Sequence, residues 1–133
     1  MSNNDKAARR ILVVDDNVDS AESMAVLLRL EGHEALTLHE GERVLATARE
    51  FQPDVILLDI GLPGITGYEV ARRIREDASL SGVALIAVSG YGREEDLSRA
   101  RAAGFDRHLV KPVDFSALHD VLSRLQPSEQ AHR

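Results

Sequence analysis

Five residues of this sequence have side chains suited to phosphoryl or metal chemistry: Asp15, Asp16, Asp59, Ser89 and Lys111. Each directly follows a short apolar run. Asp15-Asp16 come after Ile11-Leu12-Val13-Val14, and Asp59 after Val55-Ile56-Leu57-Leu58. Ser89 closes the run 83–88, and Lys111 closes 108–110. A single Asp after a strand is commonly a turn former or helix cap, and Asp16 alone could serve so. Five strand-terminal polar groups of complementary chemistry are harder to explain that way. On one rim, two carboxylates about 5 Å apart would repel by roughly 3 kcal/mol at an effective dielectric near 20. Three carboxylates against one ammonium leave a surplus of negative charge that protons or a dication must offset. A hard, oxygen-binding cation fits best, and Mg²⁺ is typically held by one or two carboxylates plus water and phosphate.

The elements that would bring these groups together read as five alternations of strand and helix. Strands are expected at 10–14, 34–39, 55–58, 83–88 and 108–110, the second being the most polar and suited to an edge. The unbroken apolar runs, without polar alternation, are those of parallel strands covered on both faces. The first helix is expected from about Asp19, with Glu22 three residues on in a capping-box-like arrangement, to Gly32. Its inward face would carry Ala21, Met24, Leu27 and Leu28. A second spans 41–51, stopped by Pro53. A third spans 67–77, with Val70 and Ile74 inward and Arg72, Arg73 and Arg75 mostly outward. A fourth spans 93–103, apolar only at Leu97, Ala100, Ala102 and Ala103, and ends at Gly104. The fifth follows Asp114 as N-cap, with Phe115, Leu118, Leu122 and Leu125 on one face.

Such units imply an α/β fold, a doubly wound parallel sheet with right-handed crossovers. Its ligands bind beyond the carboxyl ends of the strands. One domain is expected over 10–125, between polar tails at 1–9 and 126–133.

Composition removes several function classes. The chain has 133 residues, no cysteine, no tryptophan and a net charge of -6. That leaves no thiol chemistry, and neither the clustered cations nor the stacking platform that nucleic-acid binding needs. No stretch approaches a membrane span and the first residues carry no apolar signal core, so a cytoplasmic location is expected. A dinucleotide site is excluded because Asp15-Asp16-Asn17 stands where a glycine-rich loop would be.

Asp15-Asp16, Asp59, Ser89 and Lys111-Pro112 together resemble the signature set of response regulator receiver domains of two-component systems. The intervals of 43, 30 and 22 residues from Asp16 to Asp59, Ser89 and Lys111 match as well. So does the run 59–67, with Pro63 four and Gly67 eight residues after Asp59. Leu12 to Asn17 and Gly104 to Pro112 look most like stand-alone receivers or those associated with hybrid histidine kinases.

The resemblance implies a flavodoxin-like fold with strand order 2-1-3-4-5. It implies Asp59 as phosphoacceptor, taking the phosphoryl group from a histidine kinase or phosphotransfer domain. Mg²⁺, or Mn²⁺ in its place, would be held by Asp15, Asp16, Asp59 and the Gly61 carbonyl. Lys111, after which a cis Lys111-Pro112 bond is expected, would pair with a phosphoryl oxygen. Ser89, in place of the commoner Thr, would move toward the phosphoryl group. That would open space for the group at position 108, usually aromatic and here His108. The helix 4–strand 5–helix 5 face would then bind an unknown downstream protein, or a second copy weakly.

His108 has two readings: an imidazole with a satisfied hydrogen bond on the strand edge, or a titratable toggle acting between about pH 6 and 7.5. Tyr91 could shade the phosphoryl group or be an exposed loop aromatic. His33, His39, His119 and His132 show no ligand spacing and are expected at the surface. No turnover of an external substrate is expected. A phosphatase is disfavoured because Gly61 stands where such enzymes carry a second Asp. The remaining alternative is a degenerate receiver that binds partners without phosphorylation.

Overall fold

A computed structural model describes residues 8–90 and 94–125. The elements are β1 (Arg10–Val14), α1 (Val18–Leu30), β2 (Glu34–Leu38), α2 (Val44–Phe51), β3 (Val55–Asp59), α3 (Gly67–Arg75), β4 (Ala84–Ser89), α4 (Glu94–Ala103), β5 (Arg107–Val110) and α5 (Phe115–Arg124). Short 3-10 turns at Gly41–Arg43 and Ala78–Leu80 precede α2 and β4. All strand pairs are parallel, in the order β2-β1-β3-β4-β5. This is the doubly wound α/β sheet expected from the alternation, with the polar second strand at an edge.

Successive residues of each central strand face opposite layers. Leu12, Val14, Ile56, Leu58, Leu85 and Ala87 pack toward α2, α3 and α4. Ile11, Val13, Val55, Leu57 and Ile86 pack toward α1 and α5. Both sets are buried, which is why these strands show no polar alternation. The register aligns Val14 with Leu58, and Ser89 with Val110. Asp15 and Asp59 therefore leave the sheet side by side, and Lys111 leaves it beyond Ser89.

Several local expectations need correction. The N-cap of α1 is Asn17, whose Oδ1 accepts from the Ser20 N–H at 2.9 Å. Asp19 lies inside the first turn, where a carboxylate favours the helix dipole. Leu27 is 40 % exposed, because Ala25 and Leu28 fill the buried stripe. Ala102 is likewise exposed. Helix α3 ends at Arg75, and Asp77 instead caps the following 3-10 turn by accepting from the Ser79 N–H. Arg75 does not point to solvent. It donates to the Gly104 and Val83 carbonyls and pairs with Asp106 at 2.9 Å, tying α3 to the segments that enter β4 and β5. Helix α4 is held by Ala100 and Ala103 and by the Arg99 guanidinium 4.2 Å over the Tyr68 ring. Its end is the expected one, with Gly104 at φ +110. Asp114 caps α5 as expected.

Residues 1–7 of the expected tail 1–9, the tail 126–133 with His132, Tyr91, and the start of the fourth helix at Arg93 lie outside the described residues.

Candidate functional site

The carboxyl rim of the sheet brings together every group singled out in the sequence for chemistry. One carboxylate oxygen from each of Asp15, Asp16 and Asp59 lies within 4.8 Å of the other two. Asp15 and Asp59 are buried, whereas Asp16 is exposed. The Lys111 ammonium lies 3.0 Å from Asp59 Oδ2 and 3.6 Å from Asp15 Oδ2. The other oxygen of each buried carboxylate is held by backbone two residues on. The Gly61 N–H donates to Asp59 Oδ1 and the Asn17 N–H to Asp15 Oδ1, both at 2.9 Å. Among the described residues, Asp16 has no hydrogen-bond or ion-pair partner.

The charges do not balance locally. Burial pushes the Asp15 carboxyl above its usual pKa, and the Asp59 and Asp16 charges push the same way. The Asn17 N–H and Lys111 oppose them without prevailing. Burial disfavours the Lys111 ammonium, but its hydrogen bond to Asp59 and the Asp59 and Asp15 charges outweigh it, so its pKa is raised. Among the described residues, one ammonium thus faces three carboxylates. An oxygen-only donor set with surplus negative charge suits a hard dication, so these residues fit Mg²⁺.

Local sequence explains the geometry. Lys111-Pro112 is cis, as expected, and the Lys111 N–H donates to the Ser89 carbonyl at 2.8 Å. In the loop after β3, Gly67 is sterically required. A Cβ there would lie 2.6 Å from Ile60 Cα and 2.7 Å from the Asp59 carbonyl oxygen. Its N–H donates to the Ile60 carbonyl, and Thr66 caps α3 by accepting from Glu69 N–H. Gly64 has φ +78 beside the Glu42 carboxylate, while Pro63 and Gly61 are exposed. A cleft of about 600 Å³ leads to the rim between α1 and the β5–α5 connection, lined by Met24, Leu27, Pro112 and Val113 besides Asp15, Asp59 and Lys111.

Ser89 is buried, and its hydroxyl lies 2.9 Å from His108 Nε2. Burial pushes the half-buried His108 imidazole below its ordinary 6.5, with Asp96 opposing weakly. The shift moves protonation of His108 toward the acid side of the expected window of pH 6 to 7.5.

Sequence reasoning missed two histidines. His33 is buried, with Nδ1 accepting the Arg9 N–H at 3.0 Å. His39 is half-buried, with Nδ1 3.0 Å from the Asp15 carbonyl oxygen. The partners of both are backbone groups 24 residues away, and no local pattern announces them. His119 is exposed beside Glu31.

Residues 11–123 match the family model of the response regulator receiver domain. The chain belongs to this family. It is 35% identical to Protein PilH of Pseudomonas aeruginosa over 82% of this chain and 90% of that protein. It is 36% identical to the DNA-binding response regulator MtrA of Mycobacterium tuberculosis, a longer protein of which it spans 46%. Among solved structures, the receiver superposes on the chemotaxis protein CheY4 of Vibrio cholerae with a TM-score of 0.83 and 26% identity, covering 88% of this chain and 98% of that one. It superposes on the receiver domain of the Pseudomonas aeruginosa sensor histidine kinase PA1611 with a TM-score of 0.80 and 28% identity, over 88% and 96%. That structure carries a magnesium ion in its active-site cleft.

The receiver therefore has the CheY-like fold of a two-component signalling domain, with an acidic pocket for the phosphoacceptor role. Receiver domains bind Mg²⁺ in this pocket and interact with histidine kinases or phosphotransfer proteins and with downstream effectors. Among the described residues, no helix is long and apolar enough to cross a membrane.

Proposed function

We propose that Asp59 accepts a phosphoryl group from a phosphohistidine on a sensor kinase or phosphotransfer domain, and that the modification releases Ser89 from His108. The observation that carries this reading is the meeting of three carboxylates and one ammonium on one accessible rim. Asp59 Oδ2 forms the new bond to phosphorus as the donor's N–P bond breaks, and the leaving imidazole takes up a proton. The Gly61 N–H keeps the Asp59 carboxylate in a fixed plane through Oδ1. Lys111 follows the charge from Asp59 to a phosphoryl oxygen, since its flexible stem carries a compact point charge. Asp15, Asp16, Asp59 and the Gly61 carbonyl are the groups that would hold Mg²⁺, with Mn²⁺ as a substitute. When bound, the ion offsets charge on the phosphoryl oxygens in a loose transition state.

The Ser89 hydroxyl then exchanges the His108 ring nitrogen for a phosphoryl oxygen, a stronger, charged acceptor. That frees His108, which sits on β5 against α4 beside Leu97 and Ala100. The face of α4, β5 and α5 is the one this change would alter for a downstream protein or for weak pairing of two copies. Lacking the methyl that stiffens threonine, Ser89 should give a less sharply two-state switch. The reading places the receiver in the cytoplasm, with no nucleic acid, membrane or turned-over external substrate among its own targets. Phosphorylation-independent binding is not favoured, because every reacting group is present and assembled.

The test is incubation with acetyl phosphate and Mg²⁺ followed by intact mass spectrometry. The wild type should gain one phosphoryl group, and Asp59→Asn should gain none. Absence of the adduct on wild type, or its persistence in Asp59→Asn, would overturn the assignment.

A further inference from the structure

We propose that His39 is a positioning residue for the metal centre, its Nδ1–H holding the Asp15 carbonyl and so aiming the Asp16 carboxylate. The inference rests on the reading of the acidic cluster as a cation site. Of the three carboxylates there, Asp15 and Asp59 are held by backbone N–H groups and by Lys111. Asp16 has no such partner among the described residues and is exposed. Its direction must come from the backbone that carries it.

That backbone is fixed from β2. The parallel ladder ends at the pair Val14↔Leu38, and the Asp15 N–H still donates to the Leu38 carbonyl at 3.0 Å. The next rung would hold the Asp15 carbonyl, but β2 stops at Leu38. The His39 side chain supplies the missing donor, at 3.0 Å. A carbonyl oxygen only accepts, so the proton lies on Nδ1, and the neutral ring is the Nδ1–H tautomer. The Asp15 carbonyl and the Asp16 amide share one rigid peptide plane. Fixing that carbonyl fixes the plane from which the Asp16 side chain departs. Without it, the turn into the Asn17 cap is held on one side only. Partners that orient metal ligands typically matter 10–100-fold in affinity.

The probe is Mn²⁺ itself, titrated into the full chain and followed by the electron paramagnetic resonance of the free ion. His39→Leu removes the donor, and His39→Asn keeps an N–H donor near the Nδ1 position. We expect His39→Leu to weaken Mn²⁺ binding about tenfold, and His39→Asn to restore it close to wild type. Unfolding in chelator separates this from a general loss of stability. Equal affinity of wild type and His39→Leu would overturn the role of His39 while leaving the cation site intact. So would an Asn variant as weak as the Leu one. Failure of wild type to bind Mn²⁺ would instead sink the reading of the cluster, and this inference with it. Imidazole ¹⁵N shifts give an independent check even if the Leu variant does not fold: a protonated Nδ1 on His39 supports the proposal, and a protonated Nε2 on the neutral ring overturns it.

Discussion

The two rims of the sheet use the same residue types to opposite ends. At the amino rim, Arg10 pairs with Glu34 at 2.6 Å and lies 4.2 Å over the Phe51 ring, while its backbone N–H donates to Asp54 at 2.8 Å. Arg9 donates to the Leu125 carbonyl, and its N–H is taken by His33. There Arg10 is matched by Glu34, and Arg9, Arg10 and Asp54 are tied to backbone groups. At the carboxyl rim, three carboxylates crowd one lysine, and burial raises the pKa of one of them. Satisfied charge at one end holds the layers together. Unsatisfied charge at the other is a stored demand for a cation and a phosphoryl group, and strained electrostatics of this kind marks a functional site rather than a structural one.

The comparison can be broken at either rim. The largest effect is expected at the carboxyl rim. Lys111→Ala removes the ammonium beside Asp59 and Asp15 and should slow phosphoryl uptake from acetyl phosphate about a hundredfold, measured by mass spectrometry, while the fold survives. At the amino rim, Asp54→Ala orphans the Arg10 N–H and should cost about 1–3 kcal/mol in urea unfolding, leaving phosphoryl uptake near wild type. If Asp54→Ala impaired chemistry more than stability, the division of labour would be wrong. His108→Phe removes one neutral hydrogen bond from Ser89, worth about 1 kcal/mol and so roughly fivefold in population. The unmodified protein should shift toward its modified state by that factor, read from NMR shifts along β4 and β5.

The smallest effect is in pH dependence. Burial pushes both His33 and His108 below the ordinary 6.5, so the unfolded chain binds these protons more readily than the folded one. The associated stability is present above 6.5 and is lost as pH falls through the depressed folded values. The urea midpoint should therefore fall modestly between about pH 7.5 and 5.5. His33→Asn, which keeps an acceptor for the Arg9 N–H but does not titrate, should remove part of that fall.

Much of this was legible because it is local. Unbroken apolar runs marked the central strands, and the polar group ending each run marked the rim. Asp114 and Gly104 marked helix ends by their backbone preferences. What was not legible depends on contacts distant in sequence. Asn17 and Asp19 are comparable caps by type, and only the Asn17 N–H reaching back to Asp15 puts Asn17 in the cap geometry. Gln52 at φ +52 ends α2 without the usual glycine. His33, His39 and Arg75 looked like surface residues because their partners are backbone groups contributed by other elements. The Ser89–His108 bond joins two strands, and its existence follows from register, not from either residue's neighbours.

The surplus of negative charge at the carboxyl rim is most directly tested by thermal unfolding of wild type and Asp59→Asn, each in chelator and in Mg²⁺. Neutralising Asp59 should raise the melting temperature without metal, since it relieves repulsion from two carboxylates while Asn keeps an acceptor for the Gly61 N–H. Mg²⁺ should raise the wild-type melting temperature with concentration and the variant's far less. A metal-free Asp59→Asn that melts below wild type, with wild type indifferent to Mg²⁺, would contradict the account.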